Sequence, residues 1–133
     1  MDKIIVKTSC RNELIDITKE VQAVVKKNKI ADGICFVTVP HTTAALTINE
    51  NADPSVRVDI TNYLVKAVPH KGNYLHSEGN SDAHIKSSLI GQSLTIFIEN
   101  SRLRLGSWQG IYFVENDGPR NREVWVKFCG EVA

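Results

Sequence analysis

Between His76 and Lys86 the chain sets two imidazoles, two carboxylates, a primary amine and a flexible glycine, with only two apolar side chains among eleven residues. Such density suits chemistry better than core packing. Neutral imidazoles and carboxylates are the groups a divalent metal or a proton-transfer site uses, and Lys86 could meet a phosphate. His41 stands in a second polar break, His41-Thr42-Thr43, and Glu50-Asn51 follows at the end of an apolar run. Three imidazoles, His41, His76 and His84, would suit a divalent metal with an open position, either magnesium or zinc. Their spacing does not form a one-turn helical pair, so a shared site and scattered surface histidines remain equal alternatives. His70 reads as a solvated loop residue. Glu50, Glu78 and Asp82 are the carboxylates to place near the imidazoles, as oxygen ligands or as a base. Taken singly, each also reads as a cap or a surface charge.

The elements that must position these groups follow from periodicity. A β-like segment around Ile4–Val6 precedes a helix capped by Asp16 or Thr18 and running to about Lys29, with Val21, Val24 and Val25 as its stripe. Ile34–Val39 is apolar and β-branched enough for a strand buried on both faces. Pro40 stops it. Leu46-Thr47-Ile48 resumes strand character, and Asp53-Pro54 starts a helix that ends at Pro69. A third helix, capped by Asn80 or Ser81 and ended by Gly91, puts Ile85 and Leu89 on a buried side and Asp82 and Lys86 four apart, with a surface ion pair as the alternative to a site role. The rest alternates as strands, with Asn116–Arg120 as a turn. The expected class is α+β, a single domain over residues 1–133 with mainly antiparallel sheet and about three helices.

Composition narrows the function classes. Sixteen basic against fifteen acidic residues give a net charge of +1, so no global field recruits nucleic acid or a membrane surface. No apolar run approaches the roughly 18 residues of a membrane span. Cys10, Cys35 and Cys129 are odd in number and unpaired in sequence, which suits reduced thiols and a cytoplasmic location. Any phosphate recognition must be local; Arg102, Arg104, Arg120 and Arg122 are strand-edge candidates for it, with solvated edge charge as the alternative. Trp108, between Gly106 and Gly110, could stack on a ligand ring, although core filling is the better reading.

Pro40-His41-Thr42-Thr43-Ala44, Glu50-Asn51-Ala52-Asp53-Pro54, the run from His76 to Lys86, and Leu105-Gly106-Ser107-Trp108-Gln109-Gly110-Ile111 occur in the order and approximate spacing of the YjbQ family, also catalogued as UPF0047. The chain resembles that family over nearly its whole length. The resemblance implies a compact α+β trimer and a thiamine-phosphate synthase activity, joining a hydroxymethylpyrimidine pyrophosphate to a thiazole phosphate with metal-assisted release of pyrophosphate. It implies catalytic roles for His41, Glu50, His76, Asp82 and His84. Thr42, Thr43, Asn51, Lys86 and Gln109 would then hold a phosphorylated substrate, joined by Arg120 from the strand-edge arginines, and the three imidazoles His41, His76 and His84 a metal. A non-catalytic trimeric metal- or phosphate-binding protein and a zinc-dependent hydrolase stand as alternatives. The chain departs from the family pattern at Ser101, where glycine is usual, at Ser107, where threonine is usual, and at Phe97, where proline is frequent. Ser101 therefore raises the expectation of a different backbone conformation at that turn.

Overall fold

A computed structural model describes the whole chain, Met1–Ala133. In chain order it contains β1 (Asp2–Lys7), β2 (Glu13–Asp16), α1 (Thr18–Lys27), β3 (Ile30–Thr38), β4 (Ala44–Glu50), α2 (Pro54–Ala67), α3 (Ser81–Ile90), β5 (Ser93–Glu99), β6 (Arg102–Leu103), β7 (Gln109–Glu115) and β8 (Asn121–Val132). The strands form two sheets, ordered β1-β8-β3-β5-β6 and β2-β7-β4, and all their pairings are antiparallel. This is the expected α+β domain with three helices.

Alternation builds the core. Cys35, Val37, Ile96, Ile98, Val124 and Val126 point inward from the larger sheet and meet Leu46, Ile111 and Phe113 from the smaller one. Helix α1 closes the side with Val21 and Val25. Burial on both faces of β3 does not hold, because Phe36 is exposed on the outer side while Cys35 and Val37 are buried. The opposite face of the smaller sheet carries a second cluster, Leu14, Ala45, Tyr112 and Val114, which Ile60 of α2 and Ile90 of α3 partly cover.

Local chemistry sets the element ends. Asp53 caps α2, accepting from the Ser55 amide at 2.9 Å, with Pro54 at the first helical position. For α1 the cap residue is Ile17, and Asp16 instead accepts from both the amide and the hydroxyl of Thr18. Ser101 adopts the left-handed conformation itself, with φ of 62°. Its amide donates to Ala31 and its carbonyl accepts from Gln22, so tertiary hydrogen bonds hold a non-glycine residue where glycine fits at least cost.

Candidate site: a polar pocket between the β3–β4 loop and helix α3

Helix α3 is reversed relative to its apolar spacing. Ile85 and Leu89 face solvent, and the buried side consists of Ser81, Asp82, Ala83, Lys86 and Ser87. Asp82 and Lys86 are each 1% exposed, so they do not form a surface pair. Arg11 explains the inversion: its two terminal nitrogens donate to the two Asp82 oxygens at 2.8 and 3.0 Å, a bidentate pair. Lys86 lies 3.5 Å from Asp82 and donates to Asn12. Burial alone would push the Asp82 carboxyl up, but the Arg11 guanidinium outweighs it and holds the group below its usual range. Burial pulls the Lys86 ammonium down despite Asp82 beside it.

Pinning Asp82 and Lys86 inward turns the opposite side of α3 outward. His84 and Ser88, four apart, share that side, and buried Ser87 borders it. They face the loop that follows β3, where Pro40 ends the strand. Together with His41, Thr42 and Gln92 they line a pocket of about 460 Å³. Beneath the loop a second buried ionic group fixes Thr43: Arg122 donates to the Thr43 carbonyl and hydroxyl and to both oxygens of Glu115. Thr8 adds a hydroxyl donor to Glu115 at 2.8 Å.

The pocket's hydrogen-bonding character follows from its neighbours. The Glu123 amide donates to His41 Nε2 at 2.9 Å, so the neutral ring carries its proton on Nδ1 and retains that N–H as a free donor. Burial and the nearby Arg122 charge lower the His41 pKa. A nitrogen-15 titration is therefore expected to find His41 protonating below the ordinary 6.5, and a midpoint above that value would contradict the geometry. Ser87 accepts from the Asn116 amide at 3.0 Å, which leaves its own hydroxyl hydrogen to donate. Ser88 instead spends its hydrogen on the His84 carbonyl. No carboxylate and no lysine or arginine lines the pocket.

The structure thus brings together His41, Thr42 and His84, with His76 edge-on to His84 at 5.4 Å between ring centres. Glu78 sits 3.6 Å from His76 Nε2 on the exposed side. The other sequence candidates lie elsewhere. Glu50, Asn51 and Gln109 form the separate corner where β4 meets α2 and β7, with the Asn51 amide donating to the Trp108 carbonyl. Asp82, Lys86 and Thr43 are buried in the two ionic groups, and Arg120 pairs with Asp117 at 3.0 Å. Trp108, expected in the core, is exposed. Arg122, expected at a solvated edge, is buried. Sequence reasoning missed Ser87, Ser88 and Gln92; the helical spacing of the two serines from His84 was the signal that could have found them.

A metal centre at His41, His76 and His84 does not fit this arrangement. No three histidine, cysteine or acidic side chains are grouped to hold an ion, and His41 could ligate through Nε2 only by giving up the Glu123 amide. The absence of carboxylates from the pocket also removes what a hard cation such as magnesium requires.

Two antiparallel sheets, α2 and α3 on the outer face of the smaller one and a histidine-bearing polar pocket between loop and helix define a small α+β domain. Residues 2–131 match the family described as UPF0047 protein YjbQ-like, and the chain belongs to that family. It is 55% identical over 126 residues to UPF0047 protein MJ1081 of Methanocaldococcus jannaschii, covering 95% of this chain and 91% of that one. It is 48% identical to UPF0047 protein YugU of Bacillus subtilis, covering 94% and 96%. Among solved structures, an uncharacterized YjbQ/UPF0047 protein of Clostridium acetobutylicum superposes with a TM-score of 0.95 at 53% identity, over 97% of this chain and 100% of that one. A protein of Sulfolobus solfataricus described as YbjQ-like and of unknown function gives a TM-score of 0.93 at 34% identity, over 98% and 96%. These relatives carry no description as thiamine-phosphate synthases, which overturns that implication of the resemblance. No helix is long and apolar enough to cross a membrane.

Proposed function

We propose that the pocket binds a small molecule through an oxyanion, a phosphate or a carboxylate. The supporting observation is its lining: two imidazoles, three hydroxyls and an amide, with no acidic group. His41 through Nδ1–H, Ser87 through its hydroxyl, and the Thr42 and Gln92 side chains supply donors, and fixed neutral donors in a partly desolvated cleft favour an anion over a cation. His84 is the one ring in the pocket with neither nitrogen in a hydrogen bond to the protein, so both are open to whatever binds. Isothermal titration with inorganic phosphate tests the reading. Replacing both His84 and Ser87 with alanine is expected to weaken binding about tenfold or more, at roughly 1 kcal/mol for each hydrogen bond lost. Unchanged affinity would remove the site.

Assembly is a second proposal. The resemblance implies a homotrimer, and Ile5, Phe36 and Phe97 on the outer face of the larger sheet, with Leu89 on α3, supply exposed apolar surface that contacts between copies require. Sedimentation equilibrium should then return three times the 14.8 kDa chain mass, and Phe97→Lys should lower it. A monomer at micromolar concentration would refute this.

A further inference from the structure

We infer a second binding site, sharing no residue with the first, in the cavity between α2 and the outer face of the smaller sheet; it takes a small organic cation with an apolar ring. The cavity measures about 380 Å³. Its walls come from four elements: Leu14 of β2, Ile60 and Leu64 of α2, Ile90 of α3 and Val114 of β7. Helix α2 runs for fourteen residues and buries none of them fully, meeting the sheet only through partly buried side chains such as Ile60. Arg57 props it there, its guanidinium lying over the Tyr112 ring at 5.3 Å, while the Tyr112 hydroxyl donates to the Glu50 carbonyl. The space is a groove open to solvent on one side and lined mainly by apolar side chains, the form small-molecule sites commonly take.

The rim sets the class of ligand. Thr47, Asn49 and Asp59 are the polar residues of the cavity, and Tyr63 stands at its edge. Asp59 forms no ion pair, and no lysine or arginine lines the cavity, so its one formal charge is an uncompensated carboxylate. Apolar walls with a single anionic group at the mouth complement an ammonium on an apolar body, and the Tyr63 ring offers the cation a second partner. A cavity of about 150 Å³ holds benzene, so this one admits one aromatic ring with a short chain.

Titration of the protein with 2-phenylethylammonium, with 2-phenylethanol as the uncharged counterpart, tests the site. The ammonium is expected to bind saturably and about fivefold more tightly than the alcohol, the increment a partly exposed ion pair supplies. Asp59→Asn, on an exposed helix face that tolerates it, should bring the ammonium down to the affinity of the alcohol, and Leu64→Trp should abolish both by filling the cavity. Excess phosphate should not compete. The inference fails if neither probe saturates, if the ammonium has no advantage, or if Asp59→Asn leaves the advantage intact; should Leu64→Trp not fold, Asp59→Asn decides alone.

Discussion

Arg122→Met is expected to remove about 3–5 kcal/mol of folding stability, measured by denaturant unfolding, because it leaves a buried carboxylate without its counter-charge. Glu115 is 0% and Arg122 3% exposed. In the intact chain burial would push the Glu115 carboxyl up, but Arg122, the Asp117 amide and the Thr8 hydroxyl together keep it below its usual range. With methionine at 122 only the amide and the hydroxyl remain to oppose burial, and the Glu115 carboxyl should move up from its present position. Small domains have a total stability of about 5–15 kcal/mol, so the loss would consume much of it. The same change frees the Thr43 hydroxyl and leaves its carbonyl with the Asn116 amide alone, next to Thr42 in the pocket, so surviving folded protein should also bind phosphate more weakly. A cost below about 1 kcal/mol would place the pair with ordinary surface ion pairs.

Asp82→Ala is expected to cost a similar amount, about 3–5 kcal/mol, for a related reason. Lys86 is 1% exposed and would lose the carboxylate that offsets its burial, and Arg11 would lose its bidentate partner. Replacing Asp82 with Leu and Lys86 with Met together should recover most of the loss, since removing both charges leaves neither one stranded. The two depressed carboxyls also predict the acid limb. A carboxyl whose folded pKa lies below its unfolded one contributes stability that is complete above the unfolded value and disappears as pH falls through the folded value. The ordinary values are 3.8 for Asp82 and 4.5 for Glu115, so unfolding should set in below about pH 4, and each variant, lacking one depressed carboxyl, should lose less stability on acidification than the intact chain does.

Helix α3 shows how far residue patterns reach. Its ends were legible in position, Asn80 before the first turn and the positive-φ Gly91 after the last, although the Asn80 side chain donates to Asp117 and makes no capping hydrogen bond. Its orientation was not. Ile85 and Leu89 have the spacing of a buried stripe, yet the partners that draw Asp82 and Lys86 inward, Arg11 and Asn12, lie more than seventy residues away, and nothing near position 82 announces them. Trp108 fails in the opposite direction: its size suggests core, but its turn before β7 leaves it outside. The strands fared better, since a period of two over Leu94–Ile98 fixes which side chains share a face before any partner strand is known. At the site, His41 and His84 were found by their chemistry, whereas Glu50, Asn51 and Gln109 looked equally suited and came together at a different corner. Residue type identifies groups able to act; only the long-range contacts decide which of them meet.

The central claim is that an oxyanion sits between the β3–β4 loop and helix α3, and imidazole nitrogen-15 shifts followed through a phosphate titration test it most directly. His41 should start as the Nδ1–H tautomer, and its signals and those of His84 should move together and saturate with phosphate, while magnesium leaves both in place. Shifts driven by a divalent cation and absent with phosphate, or a His41 protonated on Nε2, would contradict the account.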